Sequence, residues 1–225
     1  METLVIKFNA AEMAFIESHA LAIQTYKRGR GIPAGKMDFG KKQLAVEIVG
    51  IKGEAAVAKH LGVKIDRSIH DEGDGGRDLT WQGRTIQVKS SFPADTLHLL
   101  VNDSDSLQCD YLVFVVTDET APAARIYGWI KTVDFLQSAT IKNMGHGDRM
   151  ALPVDKLHPI TTLGENADDD LLWDDVASKR RDIVITPEFF DTWQERSAIM
   201  ENDGKVSRAR ADLESFKELT TRRKK

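Results

Sequence analysis

The amino-acid sequence predicts an α/β fold in which helices flank a mixed β-sheet, and three observations lead to this prediction. Two segments near the N-terminus carry apolar residues at helical spacing. The segment CDYLVFVVT (109–117) is an almost continuous apolar run, which is typical of a strand buried on both faces of a sheet. A segment between them, residues 76–91, has the pattern of a tight β-hairpin. Helices that precede a hairpin and further strands indicate a layered α/β architecture.

The first two elements are predicted to be helices. Asn9 is followed three residues later by Glu12, a pattern that predicts a capping box at the start of the first helix. A second helix is predicted from about residue 40 to residue 61, where Gly62 would end it. A basic loop containing glycine and proline is predicted between the two helices. The predicted apolar stripes are Met13, Ile16, Ala20 and Ile23 on the first helix, and Leu44, Ile48, Ile51, Ala55 and Ala58 on the second.

Residues 76–91 read GRDLTWQGRTIQVKSS and are predicted to form the hairpin. A two-residue turn at Gln82 and Gly83 is expected, because glycine readily adopts the positive φ angle that tight hairpin turns require. Counting outward from this turn pairs Trp81 with Arg84, Thr80 with Thr85, Leu79 with Ile86, and Asp78 with Gln87. Alternation of side chains then gives an apolar face with Leu79, Ile86 and Val88, and a polar face with Asp78, Gln87 and Lys89.

The rest of the chain is predicted to complete the sheet and to continue into a helical extension. Further strands are predicted at 109–117, at 124–131 and in RMALPVDKL (149–157), with a short helix at about 132–138. The acidic segment ENADDDLLWDD predicts a linker, and Pro187 suits the first turn of a helical region that extends to residue 222. The predicted units are an N-terminal helix with a basic loop (1–39), a core (40–162), an acidic linker (163–186) and a helical C-terminal extension with a basic tail (187–225).

The composition predicts a globular protein of the cytoplasm. Of the 225 residues, 41% are hydrophobic and 29% are charged, a balance typical of folded domains. Cys109 is the single cysteine, which excludes an internal disulfide and disfavours a Cys/His zinc site. The sequence shows no signal-peptide pattern and no apolar run of about 20 residues, the length needed to cross a bilayer. A cytoplasmic protein without a membrane partner is therefore expected.

The net charge of −4 disfavours broad, charge-driven binding of nucleic acid, but the charges are unevenly distributed along the chain. The segment 27–42 contains six basic residues and one acid, and the chain ends in TTRRKK. Basic segments of this kind are either solvated surface or local contacts for phosphate groups, and the sequence leaves both readings open.

The polar face of the predicted hairpin is the candidate functional site. Asp78, Gln87 and Lys89 would surround a small volume with a carboxylate, an amide oxygen and an ammonium group. Glu54 lies at the edge of the apolar stripe of the second helix, and it reaches Asp78 if that helix packs on the polar side of the hairpin. Glu47, two turns earlier, is the reserve candidate. These oxygens would suit a hard cation such as Mg²⁺, and the alternative is an ordinary solvent-facing sheet surface.

The segments GEAAVAKHLG and GRDLTWQGRTIQVKSS, in this order, resemble the PD-(D/E)XK nuclease superfamily, which includes restriction endonucleases, phage exonucleases and junction resolvases. The resemblance spans about residues 40–160 and implies a restriction-endonuclease-like core. It implies that the catalytic residues are Glu54, Asp78, Gln87 and Lys89.

The chain departs from the family pattern at two positions. Arg77 stands where the family has proline, before the metal-binding aspartate, and Gln87 stands where it has an acid. Glutamine at this position resembles one branch of the family, related to modification-dependent restriction enzymes, and it removes a negative charge. The family's geometry implies that the main-chain carbonyl of Val88 supplies a further oxygen ligand.

The resemblance implies a Mg²⁺- or Mn²⁺-dependent endonuclease of restriction or phage type that hydrolyses DNA phosphodiester bonds. Asp78, Glu54 and the oxygens of Gln87 and Val88 would hold the metal, and Lys89 would stabilise negative charge on the phosphate. DNA is the expected partner, and a homodimer is compatible with cutting both strands. The alternatives are a catalytically inactive nucleic-acid-binding module on the same fold and a Holliday-junction resolvase. The expected DNA contacts are Arg30, Lys41, Lys42, Ser90 and Ser91.

Overall fold

The computed structural model describes residues 2–30, 40–65, 77–94, 97–102, 107–143, 147–163, 187–204 and 206–222. The helices in these ranges are α1 (Ala10–Gly29), α2 (Gly40–Leu61), α3 (Thr132–Ser138), α4 (Pro187–Gly204) and α5 (Arg208–Arg222). The strands are β1 (Leu4–Lys7), β2 (Leu79–Trp81), β3 (Arg84–Ser91), β4 (His98–Val101), β5 (Tyr111–Val116), β6 (Ala123–Lys131), β7 (Thr140–Asn143) and β8 (Asp148–Pro153). None of the helices in the described ranges is long and apolar enough to span a bilayer.

The strands form two sheets, and the prediction of an α/β fold with a mixed sheet is confirmed. The larger sheet has the order β1-β6-β5-β3-β2, in which β3 and β5 are parallel and the other neighbours are antiparallel. The smaller sheet is antiparallel and has the order β4-β8-β7. Strands β1, β4 and β7 were not predicted, because each has only four residues and shows too little alternation to be recognised.

Strand β5 lies at the centre of the larger sheet and separates two hydrophobic clusters. All six of its residues are buried, as the continuous apolar run predicted. Tyr111, Val113 and Val115 point into the first cluster, which is covered by α1 and α2. Leu112 and Phe114 point into the second cluster, to which the smaller sheet and the C-terminal helices contribute. The larger sheet is therefore covered on both faces.

The ends of the two N-terminal helices follow the sequence prediction. Asn9 Oδ1 accepts a hydrogen bond from the Glu12 N–H (2.9 Å), and Glu12 Oε2 accepts one from the Asn9 N–H (2.7 Å), so the predicted capping box is present. Gly62 follows the end of α2 with a φ of +68°, a value that glycine adopts without steric cost. Local chemistry thus fixes the start of α1 and the end of α2.

The region predicted as a helical C-terminal extension forms α4 and α5, which pack on the second cluster. Phe189, Trp193 and Phe216 are buried there in edge-to-face contacts. Trp193 Nε1 donates to the main-chain carbonyl of Asp212 (2.7 Å), which satisfies the buried indole group. These helices therefore form part of the packed core on the face opposite α2.

Lys52 is a buried cation in the middle of α2. Its side chain is 0% exposed, and its Nζ donates to the main-chain carbonyls of Asp118 (2.7 Å), Glu119 (3.1 Å) and Ala121 (2.8 Å). Burial lowers the pKa of Lys52, while the negative charges of Asp118, Glu17 and Glu119 act in the opposite direction. The ammonium group thereby connects α2 to the turn between β5 and β6.

Candidate functional site

The β2–β3 hairpin has the turn and the register that the sequence predicts. Gln82 (φ +48°) and Gly83 (φ +76°) both have positive φ angles, as a two-residue type I′ turn requires. The residue pairs are Trp81 with Arg84, Thr80 with Thr85, and Leu79 with Ile86. The register prediction is therefore confirmed for these three pairs.

Asp78 lies just beyond β2, and the fourth predicted pair, Asp78 with Gln87, is not part of the strand ladder. The Asp78 N–H donates to the Ile86 carbonyl (3.0 Å), and the Val88 N–H donates to Asp78 Oδ2 (2.6 Å). In a continued antiparallel ladder the Val88 N–H would meet the carbonyl of Arg77. The ladder ends here because the Asp78 carboxylate replaces that main-chain acceptor. This places the carboxylate at the edge of the sheet, directly beside β3.

Helix α2 covers the apolar face of the hairpin, so the condition under which Glu54 was expected to reach Asp78, packing of α2 on the polar face, is not met. Leu79, Ile86 and Val88 belong to the first cluster, together with α2. Gln87 and Lys89 alternate with these residues along β3 and therefore point to the opposite face. The physical reason is that the apolar stripe of α2 requires an apolar partner surface. Asp78, at the edge of the sheet, is partly exposed and lines a cleft.

The orientation of α2 directs Glu54 towards this edge. Lys52 reaches the β5–β6 turn, and Gly53 faces β3, where a Cβ atom would lie 1.9 Å from Ser90 Oγ. Successive residues of an α-helix differ by about 100° in direction, so Glu54 lies about 200° from Lys52 around the helix. Since the sheet order runs from β5 through β3 to β2, Glu54 lies on the flank of α2 nearer to β2 and Asp78.

Gly53 permits the close approach of α2 and β3 that sets this arrangement. With any larger residue, the Cβ atom would overlap Ser90 Oγ, so the Ser90 hydroxyl would have to rotate and the helix and strand would lose their present close fit. Ser90 Oγ is itself buried and has no hydrogen-bond partner among the described residues. Ser90 thus faces the helix, a position that does not favour the phosphate contact expected from the sequence.

Gln87 provides a buried oxygen that lacks a hydrogen-bond partner. The residue is 5% exposed, and its Oε1 has no partner among the described residues. An unsatisfied buried acceptor costs about 1–3 kcal/mol, so such groups are rare in folded proteins unless a water, ion or ligand satisfies them. Gln87 therefore supplies one oxygen that a cation beside Asp78 could use.

Cys109 belongs to the second cluster, on the face of the sheet towards which the Gln87 side chain points. Burial raises the pKa of the Cys109 thiol to about 11, and the charges of Lys89 and Asp78 act on the same thiol in opposite directions. A backbone hydrogen bond from Gln87 also acts on it. Gln87 therefore lies next to Cys109, and the charges of Asp78 and Lys89 are near enough to influence the same thiol.

The other predicted site residues are placed as follows. Glu47, the reserve ligand, is engaged in an ion pair with Lys27 (Oε1–Nζ 2.7 Å). Ser91 Oγ donates to the carbonyl of Phe92 (3.0 Å), and Arg30 is exposed, with its guanidinium over the ring of Tyr26 (5.5 Å). The side chains of Lys41 and Lys42 lie outside the described residues.

An open cleft of about 510 Å³ lies next to Asp78 and was not predicted. Its lining residues are Val63, Lys64, Ile65, Arg77, Asp78, Leu79 and Thr80. Arg77 is exposed, and its Nε donates to the carbonyl of Gln108 (3.1 Å). The sequence signal for this cleft is the basic residue immediately before Asp78, at a position where the nuclease pattern has an uncharged residue.

The described residues contain no group of three His, Cys, Asp or Glu side chains that could hold a metal ion. Any cation at this site would therefore depend on mixed oxygen donors, with Asp78 supplying a carboxylate and Gln87 an amide oxygen. Comparison of the chain with family models, curated proteins and solved structures found no match.

Proposed function

We propose that the protein is a Mg²⁺-dependent endonuclease that hydrolyses DNA phosphodiester bonds with the site around Asp78, on a restriction-endonuclease-like core. Two observations carry the proposal, the Asp78 carboxylate bound at the end of the hairpin ladder and the buried side-chain oxygen of Gln87 on the neighbouring strand. The Asp78 carboxylate is hydrogen-bonded to Val88, and the Gln87 Oε1 is buried without a partner among the described residues. A carboxylate beside an unsatisfied amide oxygen is an arrangement that a hard cation would stabilise.

The residues fit a hard cation with several bound waters. Asp78 and Gln87 supply side-chain oxygens, and the Val88 carbonyl faces the same side of β3 as its N–H, which donates to Asp78. Glu54 would supply a second carboxylate from the facing flank of α2. Mg²⁺ prefers oxygen ligands and retains waters, so two or three protein oxygens are sufficient. When bound, it would supply positive charge to the phosphate and lower the pKa of a nearby water.

Besides the metal ion, the proposed site would contain one positively charged side chain, that of Lys89. Its ammonium group would donate hydrogen bonds to a non-bridging phosphate oxygen and offset the charge that develops during hydrolysis. In this reaction a water oxygen forms a bond to phosphorus, and the bond from phosphorus to the leaving sugar oxygen breaks. The water loses a proton to solvent, and the leaving oxygen gains one. Asp78 would thus hold the metal ion, while Lys89 would stabilise negative charge on the phosphate.

A non-catalytic nucleic-acid-binding module is the second candidate. The absence of a three-residue His, Cys, Asp or Glu cluster in the described part of the chain favours it, since a neutral Gln87 holds a cation less strongly than an acid. Such a module would keep the basic residues beside the site and would bind DNA without hydrolysing it.

Supercoiled plasmid incubated with the purified protein should be converted to nicked and linear forms in Mg²⁺ or Mn²⁺. In EDTA the plasmid should remain supercoiled, because the proposed hydrolysis requires the cation. The products are measured by agarose electrophoresis, with binding followed in parallel by gel shift. A protein that shifts the DNA but leaves every plasmid uncut in both metals would support the binding module and contradict the nuclease.

Gln87→Glu should strengthen the binding of Mn²⁺ by about tenfold, because a second charge beside Asp78 favours a divalent cation. Gln87→Met, which has similar length but no oxygen, should weaken it. Mn²⁺ binding is measured by calorimetry or electron paramagnetic resonance, so the result does not depend on cleavage. Equal Mn²⁺ affinities in the wild type and both variants would remove Gln87 from the metal site.

A further inference from the structure

The cleft beside Asp78 has walls of different chemistry. Val63 and Ile65 are partly buried and pack against the first cluster, and Leu79 is a buried residue of that cluster. Lys64 and Arg77 are both exposed and line the same cleft. The cleft thus combines an apolar floor with two cations at its margin, next to the carboxylate of the proposed metal site.

The guanidinium of Arg77 is held in a defined position. Its Nε donates to the carbonyl of Gln108, in the segment that leads into β5. A guanidinium has five N–H donors in a rigid fork, so a bond through Nε leaves the two terminal nitrogens directed away from that carbonyl. Phosphate oxygens accept hydrogen bonds from this fork in a bidentate manner. Arg77 is therefore oriented before any ligand arrives.

We propose that this cleft binds a DNA backbone phosphate next to the scissile phosphate, with Arg77 and Lys64 as the phosphate-binding residues. This inference rests on the proposed nuclease function. Lys64 lies in the segment that follows α2, and Arg77 immediately precedes Asp78, so two different segments each contribute one cation to the lining of the cleft.

A polyanion explains the combination of charges better than a single small anion does. Arg77 and Asp78 are consecutive, and their side chains form hydrogen bonds to different segments, at Gln108 and at Val88. One phosphate beside Arg77 and another at the cation that Asp78 would hold would engage both residues simultaneously. Since most protein–DNA hydrogen bonds go to the backbone, such contacts would position the strand without selecting its sequence.

Arg77→Gln, Lys64→Gln and the double variant test the proposal against a matched double variant, Arg125→Gln with Lys156→Gln. Arg125 and Lys156 are exposed, and Arg125 Nη1 likewise makes one hydrogen bond to a neutral group, Thr3 Oγ1 (3.3 Å), at the β1 edge of the sheet. Binding of a fluorescent 20-base-pair duplex is measured by anisotropy in EDTA over a range of salt concentrations. Single-turnover cleavage in Mg²⁺ at saturating protein is measured separately.

The Arg77/Lys64 double variant should bind DNA roughly tenfold more weakly than the wild type. The slope of log Kd against log salt should fall by about 1, because the two cations share one phosphate and each phosphate that is no longer neutralised lowers the slope by about 0.9. The control double variant should retain the wild-type slope.

The outcomes separate this inference from the proposed function. If the wild type cuts DNA and the Arg77/Lys64 variant keeps the wild-type Kd and salt slope, the proposal of phosphate binding in the cleft is wrong. The proposed nuclease function would stand. A wild type that binds without cutting, with the salt slope reduced only in the Arg77/Lys64 variant, overturns the nuclease and supports the cleft. A wild type that neither binds nor cuts DNA overturns both.

Discussion

Asp78→Asn and Lys89→Met should each lower the rate of DNA cleavage by at least about 10²–10³-fold, the typical cost of removing one group that stabilises the charge of the reaction. Asparagine keeps an oxygen that can accept the hydrogen bond from the Val88 N–H, so only the charge of Asp78 is lost. Methionine keeps the apolar stem of Lys89 and removes its ammonium group. Thermal unfolding and DNA binding in EDTA should remain close to the wild type, since neither substitution removes core packing.

Asp110→Asn is the matched control for Asp78→Asn. Asp110 Oδ2 accepts the main-chain N–H of Thr85 (2.7 Å), which is the same type of bond on the same strand, near the start of β3 and three residues before Val88. Asp110 also lies 3.8 Å from Arg84, so its loss should affect stability rather than cleavage. If Asp78→Asn cuts plasmid at the wild-type rate, or if Asp110→Asn is equally inactive while folded, the assignment of the site is wrong.

The hairpin could be predicted because its turn depends on local chemistry. Two residues with positive φ angles are needed, and Gly83 next to Gln82 supplies them within the sequence itself. Once the turn is fixed, the alternation of side chains determines which residues share a face. The separation of Leu79, Ile86 and Val88 from Gln87 and Lys89 followed from these two steps.

The end of the hairpin could not be predicted by counting residues. A side-chain carboxylate at Asp78 takes the position of a main-chain carbonyl, and no pairing rule anticipates this substitution. The burial of Gln87 was also unexpected, because its face looked polar in the sequence. That face is covered by the second cluster, whose members Met150, Leu152 and Phe216 lie far along the chain.

The burial of Lys52 also could not be predicted from the sequence, because it depends on residues distant in the chain. Within a helix that was assigned a single apolar stripe, a lysine is expected to be solvated, because charged groups rarely leave water. The structure instead buries residues on several sides of α2, among them Val49, Ala56 and Val57, since the helix contacts α1 as well as the sheet. Only the position of the β5–β6 turn, 66–69 residues later in the chain, provides the acceptors that make this burial possible.

Lys52→Met should lower the free energy of unfolding by about 2 kcal/mol, because the three carbonyls that lose a donor lie in a partly exposed turn, where water replaces some of the lost bonds. Methionine fills most of the volume of the lysine stem, so the loss reports mainly the hydrogen bonds to Asp118, Glu119 and Ala121. Urea unfolding followed by circular dichroism measures the change, with equal m-values required for the comparison. Lys52→Arg should not restore stability, since a planar guanidinium cannot reproduce the contacts of a compact ammonium group.

Lys59→Met, about two turns further along α2, separates the effect of burial from that of charge. Lys59 Nζ also bonds a main-chain carbonyl, that of Lys7 (3.0 Å), and it forms an ion pair with Glu12 (2.7 Å). Its side chain is 44% exposed, so water can replace these bonds and the expected loss is at most about 1 kcal/mol. Equal losses at the two positions would mean that Lys52 contributes only charge. A larger loss at Lys52 would support the buried ammonium as the contact that holds the β5–β6 turn against α2. That contact sets the orientation of α2 from which the position of Glu54 is inferred.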